Sequence, residues 1–200
     1  MISLRRIPRA AVLAGLFAAA LGGACAHRQA PVPVVAPTPA PPPAPHAALP
    51  ADLAGVLNAS QPEAQLLVSG QPTAAQIAAA GRAGYKTVID LRAPTEDHGF
   101  DEKAASEAAG MVYENLPVSP PSLDAATLDR FIALFRDAPR PVLLHCATAN
   151  RAGALYYAWL VLEKGVVPDA ALRRAEAAGL KHPELVARIQ AVVAERQHPR

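Results

Sequence analysis

The sequence has few cysteines, few aromatic residues and no metal-binding pattern of histidines, and each shortage limits what the chain can be. Its 200 residues include two cysteines, Cys25 and Cys146, and 4% aromatic side chains. Because Cys25 lies in the N-terminal segment, the folded region has a single thiol with no partner for a disulfide. No two of the six histidines have the spacing of metal ligands, so we expect neither a metal nor another cofactor.

Charge is also scarce and changes sign along the chain. The whole sequence carries 19 Lys and Arg against 17 Asp and Glu. Four of the arginines (Arg5, Arg6, Arg9 and Arg28) lie in the first 50 residues, which contain no acidic residue, so the remaining 150 carry 15 basic and 17 acidic residues. A mildly acidic domain argues against nucleic-acid binding.

Residues 1–26 have the pattern of an export signal. Three arginines precede an uncharged apolar stretch at residues 10–21 that is too short to span a bilayer comfortably. Small residues then lead to Cys25, as in bacterial lipoproteins, although Leu21 lies four residues before Cys25 where three are usual. Ala24 and Ala26 also fit an ordinary A-x-A cleavage site. We predict lipidation at Cys25 and a location in the periplasm or cell envelope, with the membrane as a partner through the lipid anchor.

Residues 27–50 form a Pro/Ala-rich linker. Their prolines favour extended polyproline II and prevent a packed core; they are Pro31, Pro33, Pro37, Pro39, Pro41, Pro42, Pro43, Pro45 and Pro50. Such a semi-rigid spacer would hold the folded domain, residues 51–200, away from the membrane surface.

Short apolar runs in the folded domain predict four buried strands, at residues 66–68, 87–89, 111–113 and 142–144. Helical patterns lie between and after them, at residues 73–83, 101–109, 123–137, 152–164, 168–178 and 183–197. Strands that alternate with helices indicate an α/β fold with a parallel sheet, and the last helices form a wholly helical C-terminal region.

The sequence HCATANRAG, from His145 to Gly153, is the strongest functional signal. A strand, a tight loop and a helix N-terminus in this order form an anion cradle, because the loop and first-turn N–H groups have no partners of their own. The same field favours a thiolate at Cys146. The guanidinium of Arg151 can bind two oxygens of a phosphate or a similar anion. A buried structural thiol is the alternative interpretation of Cys146.

Other residues are assigned supporting roles. We expect an anion to be bound by the loop residues Ala147, Thr148, Ala149, Asn150 and Arg151. His145 either orients the loop from behind or fills space. A phosphatase also needs an acid to protonate the leaving oxygen. The candidates are Asp124, which could equally be a first-turn helix acid, and Glu96, Asp97 and Asp101 in the loop after the second strand.

Four segments together resemble a known family. They are SGQPTAAQI, TVIDLR, GMVYENLPV and HCATANRAGALYYAWL, between about Ser69 and Leu180. In order and composition they resemble the bacterial dual-specificity-phosphatase-like family, whose members are also labelled sulfurtransferase-like or β-lactamase-hydrolase-like. The resemblance implies a three-layer Cys-phosphatase-like fold with a central, mostly parallel sheet of four to five strands flanked by helices. It further implies that Cys146 forms a phospho-cysteine, that Arg151 binds the phosphate, and that Arg92 lies near the same sheet edge.

The loop departs from protein tyrosine and dual-specificity phosphatases at three points. Four residues separate Cys146 from Arg151 where those enzymes have five, Ala149 replaces the loop glycine, and Ala152 replaces the hydroxyl residue after the arginine. We expect Ala149 to resist any positive φ. The acid candidate Asp124 also lies beyond the usual position, where this chain has Ser119.

The sequence predicts an exported, Cys-dependent phosphatase-like hydrolase acting on phosphate monoesters, with a phosphorylated small molecule or protein as substrate. Two alternatives stay open. A four-residue spacing is that of rhodanese-type sulfurtransferases, which carry a Cys persulfide. A catalytically inactive module that binds an anion or a partner is the other.

Overall fold

A computed structural model describes residues 49–197, all of which belong to one unit, Pro42–Arg200. The predicted export signal, the lipidation site Cys25 and nearly all of the predicted linker lie outside the described residues. The first element within the described residues begins at Ala51. Within residues 49–197, no helix is both long enough and apolar enough to cross a membrane.

A five-stranded sheet forms the centre of the fold. Its strands are β1 (Ser60–Glu63), β2 (Leu66–Ser69), β3 (Thr87–Asp90), β4 (Val112–Asn115) and β5 (Val142–His145), in the order β1-β2-β5-β3-β4. The pairs formed by β2, β5, β3 and β4 are parallel, and β1 runs antiparallel to β2 at one edge. All four predicted strands are present. The sequence did not indicate β1, whose residues SQPE are polar and include Pro62, a residue that suits an edge strand.

Six α-helices surround the sheet after a short 3₁₀ turn at Ala51–Leu53. They are α1 (Ala74–Arg82), α2 (Glu102–Ala108), α3 (Ala125–Asp137), α4 (Asn150–Leu162), α5 (Pro168–Ala177) and α6 (Pro183–Gln197). Each lies within two residues of its predicted position. Thr73, the N-cap of α1, forms a reciprocal capping box with Gln76.

Side chains that alternate along the buried strands face two separate helical layers. Val68 and Leu144 pack with the core formed by α3, α4, α5 and α6, and Cys146 belongs to the same core. Leu67 and Leu143 face the other way and pack with residues of α1 and the 3₁₀ turn. The result is the predicted α/β fold of three layers with a helical C-terminal region.

The strand register places the chemistry at one edge of the sheet. His145, the last residue of β5, pairs with Ser69 of β2 on one side and with Asp90 of β3 on the other. These are the carboxyl ends of three adjacent parallel strands, where α/β sheets bind ligands. Cys146 follows directly and therefore lies at the centre of this edge.

Candidate active site

Cys146 begins the loop that joins β5 to α4. Its backbone N–H donates to the carbonyl of Ser69 at 3.3 Å, which continues the pairing of β5 with β2 for one residue. The residue is 1% exposed. Burial alone is compatible with both interpretations of this thiol, so its neighbours decide between them.

The loop enters α4 through a left-handed residue. Ala149 is the N-cap and has φ 71° and ψ −11°, so the alanine adopts the positive φ that we expected it to resist. Its methyl cannot cap the helix, whereas Thr73, Asp101 and Asp124 cap α1, α2 and α3.

Several backbone N–H groups of the loop therefore have no hydrogen-bond partner in the part of the chain that the structure describes. Within residues 49–197, no acceptor lies in hydrogen-bonding range of the N–H groups of Ala147, Thr148, Asn150 and Arg151. Unpaired N–H groups at a helix start attract an anion, because they donate hydrogen bonds and the helix dipole is positive there. Anion binding by these N–H groups stays a prediction.

Arg151 lies in the first turn of α4 and is fixed mainly by one carboxylate. Its Nη1 donates to Oε1 of Glu96 at 2.6 Å, and its Nη2 donates to Oε2 at 2.7 Å. Nη1 also donates to the carbonyls of Val118 at 3.0 Å and Leu91 at 3.3 Å. The hydrogen bonds with Glu96 raise the pKa of Arg151, and the neighbouring side chain of Cys146 acts in the same direction. The guanidinium is thus within electrostatic reach of the sulfur.

Glu96 supplies the negative charge that a cation at a helix N-terminus needs. Hydrogen bonding to Arg151 lowers the pKa of Glu96, so the carboxylate is ionised near neutral pH. One of its oxygens also accepts the N–H of Ala93 at 2.8 Å, which holds the acid within its own loop. This pairing uses the Nη1 and Nη2 edge of Arg151. Among the described residues, no carbonyl or carboxylate accepts a hydrogen bond from Nε of Arg151.

The other acid candidates have structural roles. Asp124 caps α3, since its Oδ1 accepts the N–H of Thr127 at 2.7 Å, and this hydrogen bond lowers its pKa. Asp101 caps α2 in the same way, and Asp97 accepts the N–H of Gly99 at 2.8 Å. Within residues 49–197, none of the three forms a hydrogen bond or ion pair with the loop residues 145–151. The role of Asp124 as a proton donor therefore stays a prediction.

Arg92 lies at the predicted sheet edge, in a buried cluster of charges. Its Nε and Nη2 donate to the two oxygens of Asp90, each at 2.9 Å, and Nη2 also donates to Glu102 of α2. The side chains of Arg92 and Asp90 are 0% exposed. Burial opposes the ionisation of Asp90, but hydrogen bonds from Arg92 outweigh it and lower its pKa. The Tyr113 hydroxyl donates a hydrogen bond to the same carboxylate at 3.0 Å. Burial raises the pKa of Tyr113, and the nearby charge of Asp90 raises it further.

His145 connects this cluster to the loop. Its Nε2 lies 2.9 Å from Oε1 of Glu102 and 3.8 Å from Oδ1 of Asp90, without the alignment of a hydrogen bond to either. The ring is 0% exposed and directly precedes the thiol in the chain. Within residues 49–197, neither ring nitrogen forms a hydrogen bond to the loop, so both predicted roles of His145 stay open.

The same cluster contains three side chains of types that bind metals. Ligand atoms of Asp90, His98 and Glu102 lie within 4.8 Å of one another. The guanidinium of Arg92 pairs with both carboxylates, so a cation is already built into this group. A second cation there would be repelled at short range.

The sequence did not indicate Asp90, Glu102 or Asn58, which donates to the loop carbonyl of Thr148. The segment TVIDLR did contain a signal for Asp90, because a charged residue at the end of a buried strand needs a partner of opposite charge. That Glu102 joins the same cluster depends on how α2 packs. Nothing local distinguishes Asn58 from any other loop asparagine.

Comparison with known proteins shows that the chain is similar to phosphatase-like proteins. The family described as beta-lactamase hydrolase-like protein, phosphatase-like domain, matches residues 61–161. A beta-lactamase hydrolase-like protein of Agrobacterium fabrum is 35% identical over 96 residues, which cover 46% of this chain and 22% of that protein. The chain spans about a quarter of the length of the curated relatives that it matches.

Solved structures show the same fold. A DUF442 protein of Shewanella putrefaciens has a TM-score of 0.61 and 28% identity, over 74% of this chain and 98% of that one. TpbA of P. aeruginosa, solved in complex with pTyr, has a TM-score of 0.55 and 23% identity, over 68% and 83% of the two chains. At that identity the likeness to TpbA concerns the fold alone.

Proposed function

The chain belongs to the phosphatase-like domain family of the beta-lactamase hydrolase-like proteins, and on that basis we propose that it hydrolyses phosphate monoesters through a phospho-cysteine at Cys146. One observation carries the proposal. Cys146 and Arg151 lie at the two ends of a loop that leads into a helix without a side-chain cap, so a nucleophile, unpaired N–H donors and a guanidinium share one place. An oxyanion held there is stabilised as charge develops on it.

The reaction follows from these positions. The thiolate of Cys146 attacks phosphorus, so an S–P bond forms while the P–O bond to the leaving group breaks. The loop N–H groups and the Nε edge of Arg151 hold the non-bridging oxygens. A proton passes to the leaving oxygen, and Asp124 is the proposed donor. Because the hydrogen bond from the Thr127 N–H lowers the pKa of Asp124, we expect this proton transfer to be favoured at acidic pH. Water then attacks the phospho-cysteine and gives one proton to the Asp124 carboxylate, the S–P bond breaks, and inorganic phosphate leaves with the thiolate and the acid restored.

Two variants test the reaction. The purified protein should release phosphate from an aryl phosphate, and Cys146→Ser should abolish this release. Arg151→Lys keeps the charge but loses the planar fork, so kcat/KM should fall by about 10- to 100-fold. Thiocyanate formation from thiosulfate and cyanide is the competing assay. Cys146-dependent thiocyanate without phosphate release contradicts the proposal.

We also propose that the domain acts outside the cytoplasm, attached to the membrane through lipid on Cys25. The charged start, the apolar stretch and the Pro-rich spacer support this assignment. Metabolic labelling with a fatty-acid analogue should mark the full chain and not Cys25→Ala, and the labelled protein should sediment with membranes. Equal labelling of both chains contradicts lipidation at this residue.

A further inference from the structure

Asn58 reaches the Cys146 loop from a segment that precedes the sheet. Its Nδ2 donates to the carbonyl of Thr148 at 3.1 Å. Asn58 itself has φ 49°, a left-handed conformation that asparagine tolerates better than most residues with a side chain. The family match begins only at residue 61, so this contact comes from outside the matched region.

Close backbone packing fixes Asn58 relative to the loop. The carbonyl of Leu57 accepts the N–H of Gly70 at 2.7 Å, and the N–H of Gln71 donates to the carbonyl of Ala147 at 3.2 Å. A Cβ on Gly70 would lie 2.9 Å from the oxygen of Ala147 and 3.0 Å from the side chain of Leu57. The three segments are therefore in contact, with no room for a side chain between them.

The carbonyl that Asn58 binds belongs to a strained part of the loop. The plane of the peptide between Thr148 and Ala149 helps to set φ of Ala149, which is 71°. A residue with a Cβ is disfavoured there, and rotation of this peptide would relieve the strain. A hydrogen bond to the Thr148 carbonyl opposes that rotation.

We propose that Asn58 is a positioning residue of the Cys146 loop, which it holds in the left-handed turn that Ala149 does not favour by itself. Asn58 acts through Thr148 and touches no reacting atom. The proposal rests on the anion-binding role proposed above. It explains how this chain keeps the turn with alanine, since a glycine there would adopt a positive φ without help.

Asn58→Gly tests this role because glycine accepts the positive φ of residue 58 and removes the whole side chain, including the amide that binds Thr148. Two quantities should be measured on the full chain: the affinity for inorganic phosphate, and the hydrogen-exchange rates of the Gln71 and Gly153 amides. These amides donate to the carbonyls of Ala147 and Ala149, so they report on the loop directly. We expect phosphate affinity to fall about 3- to 10-fold and both exchange rates to rise by a similar factor.

Asp52→Ala is the matched control in the same N-terminal segment. The Asp52 side chain is 72% exposed and pairs only loosely with the exposed Arg82, at 3.7 Å. Both quantities should stay at the wild-type value in this variant.

A second background makes the test specific. In Ala149→Gly the residue at position 149 adopts a positive φ without strain. Adding Asn58→Gly to this variant should therefore change the phosphate affinity and the two hydrogen-exchange rates by less than about twofold. Equal effects in the two backgrounds, or no effect in either, would overturn the proposal. If the wild-type chain does not bind phosphate, the proposed function fails, and the exchange rates alone still decide the role of Asn58.

Discussion

The carboxylate of Glu96 holds the guanidinium of Arg151 through two parallel hydrogen bonds of 2.6 and 2.7 Å. The acid comes from the loop after β3 and the arginine from the first turn of α4, so the pair joins the two sides of the candidate site. Because Nη1 and Nη2 both donate to Glu96, the orientation of the whole guanidinium plane is fixed. Orientation of the anion-binding arginine therefore depends on Glu96.

Glu96→Gln should weaken the site without removing it. The amide cannot form two charge-assisted hydrogen bonds, so Arg151 becomes mobile, and we expect kcat/KM for an aryl phosphate to fall about tenfold. Glu107→Gln is the matched control, because Glu107 pairs with Lys103 on an exposed helix face. Steady-state kinetics of the three proteins check the prediction. An equal decrease in kcat/KM in Glu96→Gln and Glu107→Gln would contradict the role of Glu96 in orienting Arg151.

The same pair gives a pH-dependent contribution to stability. Arg151 lowers the pKa of Glu96 below its value in the unfolded chain. A lowered carboxyl pKa stabilises the fold above the unfolded-state pKa, and this contribution is lost as the pH falls through the folded-state pKa. The difference in melting temperature between wild type and Glu96→Gln should therefore be constant near pH 7 and shrink below about pH 4. A difference that persists unchanged to pH 2 contradicts the assignment.

Asp124→Asn separates the two roles open to this residue. Asparagine caps a helix as well as aspartate does, so α3 should keep its stability while the transferable proton is lost. If Asp124 protonates the leaving oxygen, kcat for an alkyl phosphate should fall about 100-fold. An aryl phosphate, whose leaving group needs less protonation, should be affected less. Unchanged kcat on both substrates, at an unchanged melting temperature, would leave Asp124 with its capping role alone.

Local sequence rules were enough for most of the fold. The six helical patterns and the four apolar runs depend on neighbours within a few residues, and each is present in the structure. The edge strand β1 was missed because its polar residues carry no periodic signal, and its pairing with β2 is what makes it a strand.

The site was predictable only in part, for a related reason. The local structure of HCATANRAG could be predicted, because the strand end, the loop and the helix start are consecutive in the sequence. The partners of that loop are not consecutive with it. Glu96 was considered only as a proton donor, yet it binds Arg151 across 55 positions of the chain. The reach from Asn58 to Thr148 is 90 positions.

Gly179→Ala should disrupt the contact between the loop and the C-terminal helices. A Cβ at Gly179 would lie 2.6 Å from the Cβ of Ala149, and the residue has φ 109°. We expect a loss of about 2–4 kcal/mol in unfolding free energy, part from the steric overlap and part from the backbone conformation.

Gly165→Ala isolates the backbone contribution, because Gly165 also has a positive φ, 63°, but no atom within 4 Å of the added Cβ. That variant should lose only about 1–2 kcal/mol. Combining Gly179→Ala with Ala149→Gly should recover the steric part of the loss. Equal losses at the two glycines in urea unfolding would show that the contact with Ala149 has no energetic weight.

The buried cluster behind the loop leads to the last prediction. Arg92 neutralises Asp90 and Glu102 where neither carboxylate can reach water, so its removal leaves two like charges buried side by side. Arg92→Met should therefore cost about 3–5 kcal/mol of unfolding free energy. Arg196→Met should cost less than about 1 kcal/mol, because Arg196 and its partner Asp129 are half exposed. The pH dependence separates loss of charge pairing from loss of packing. If repulsion between the unpaired carboxylates destabilises Arg92→Met, the difference in unfolding free energy from wild type should shrink as the pH falls from 7 to 4. If the variant is destabilised by lost packing instead, that difference should stay constant over the same range.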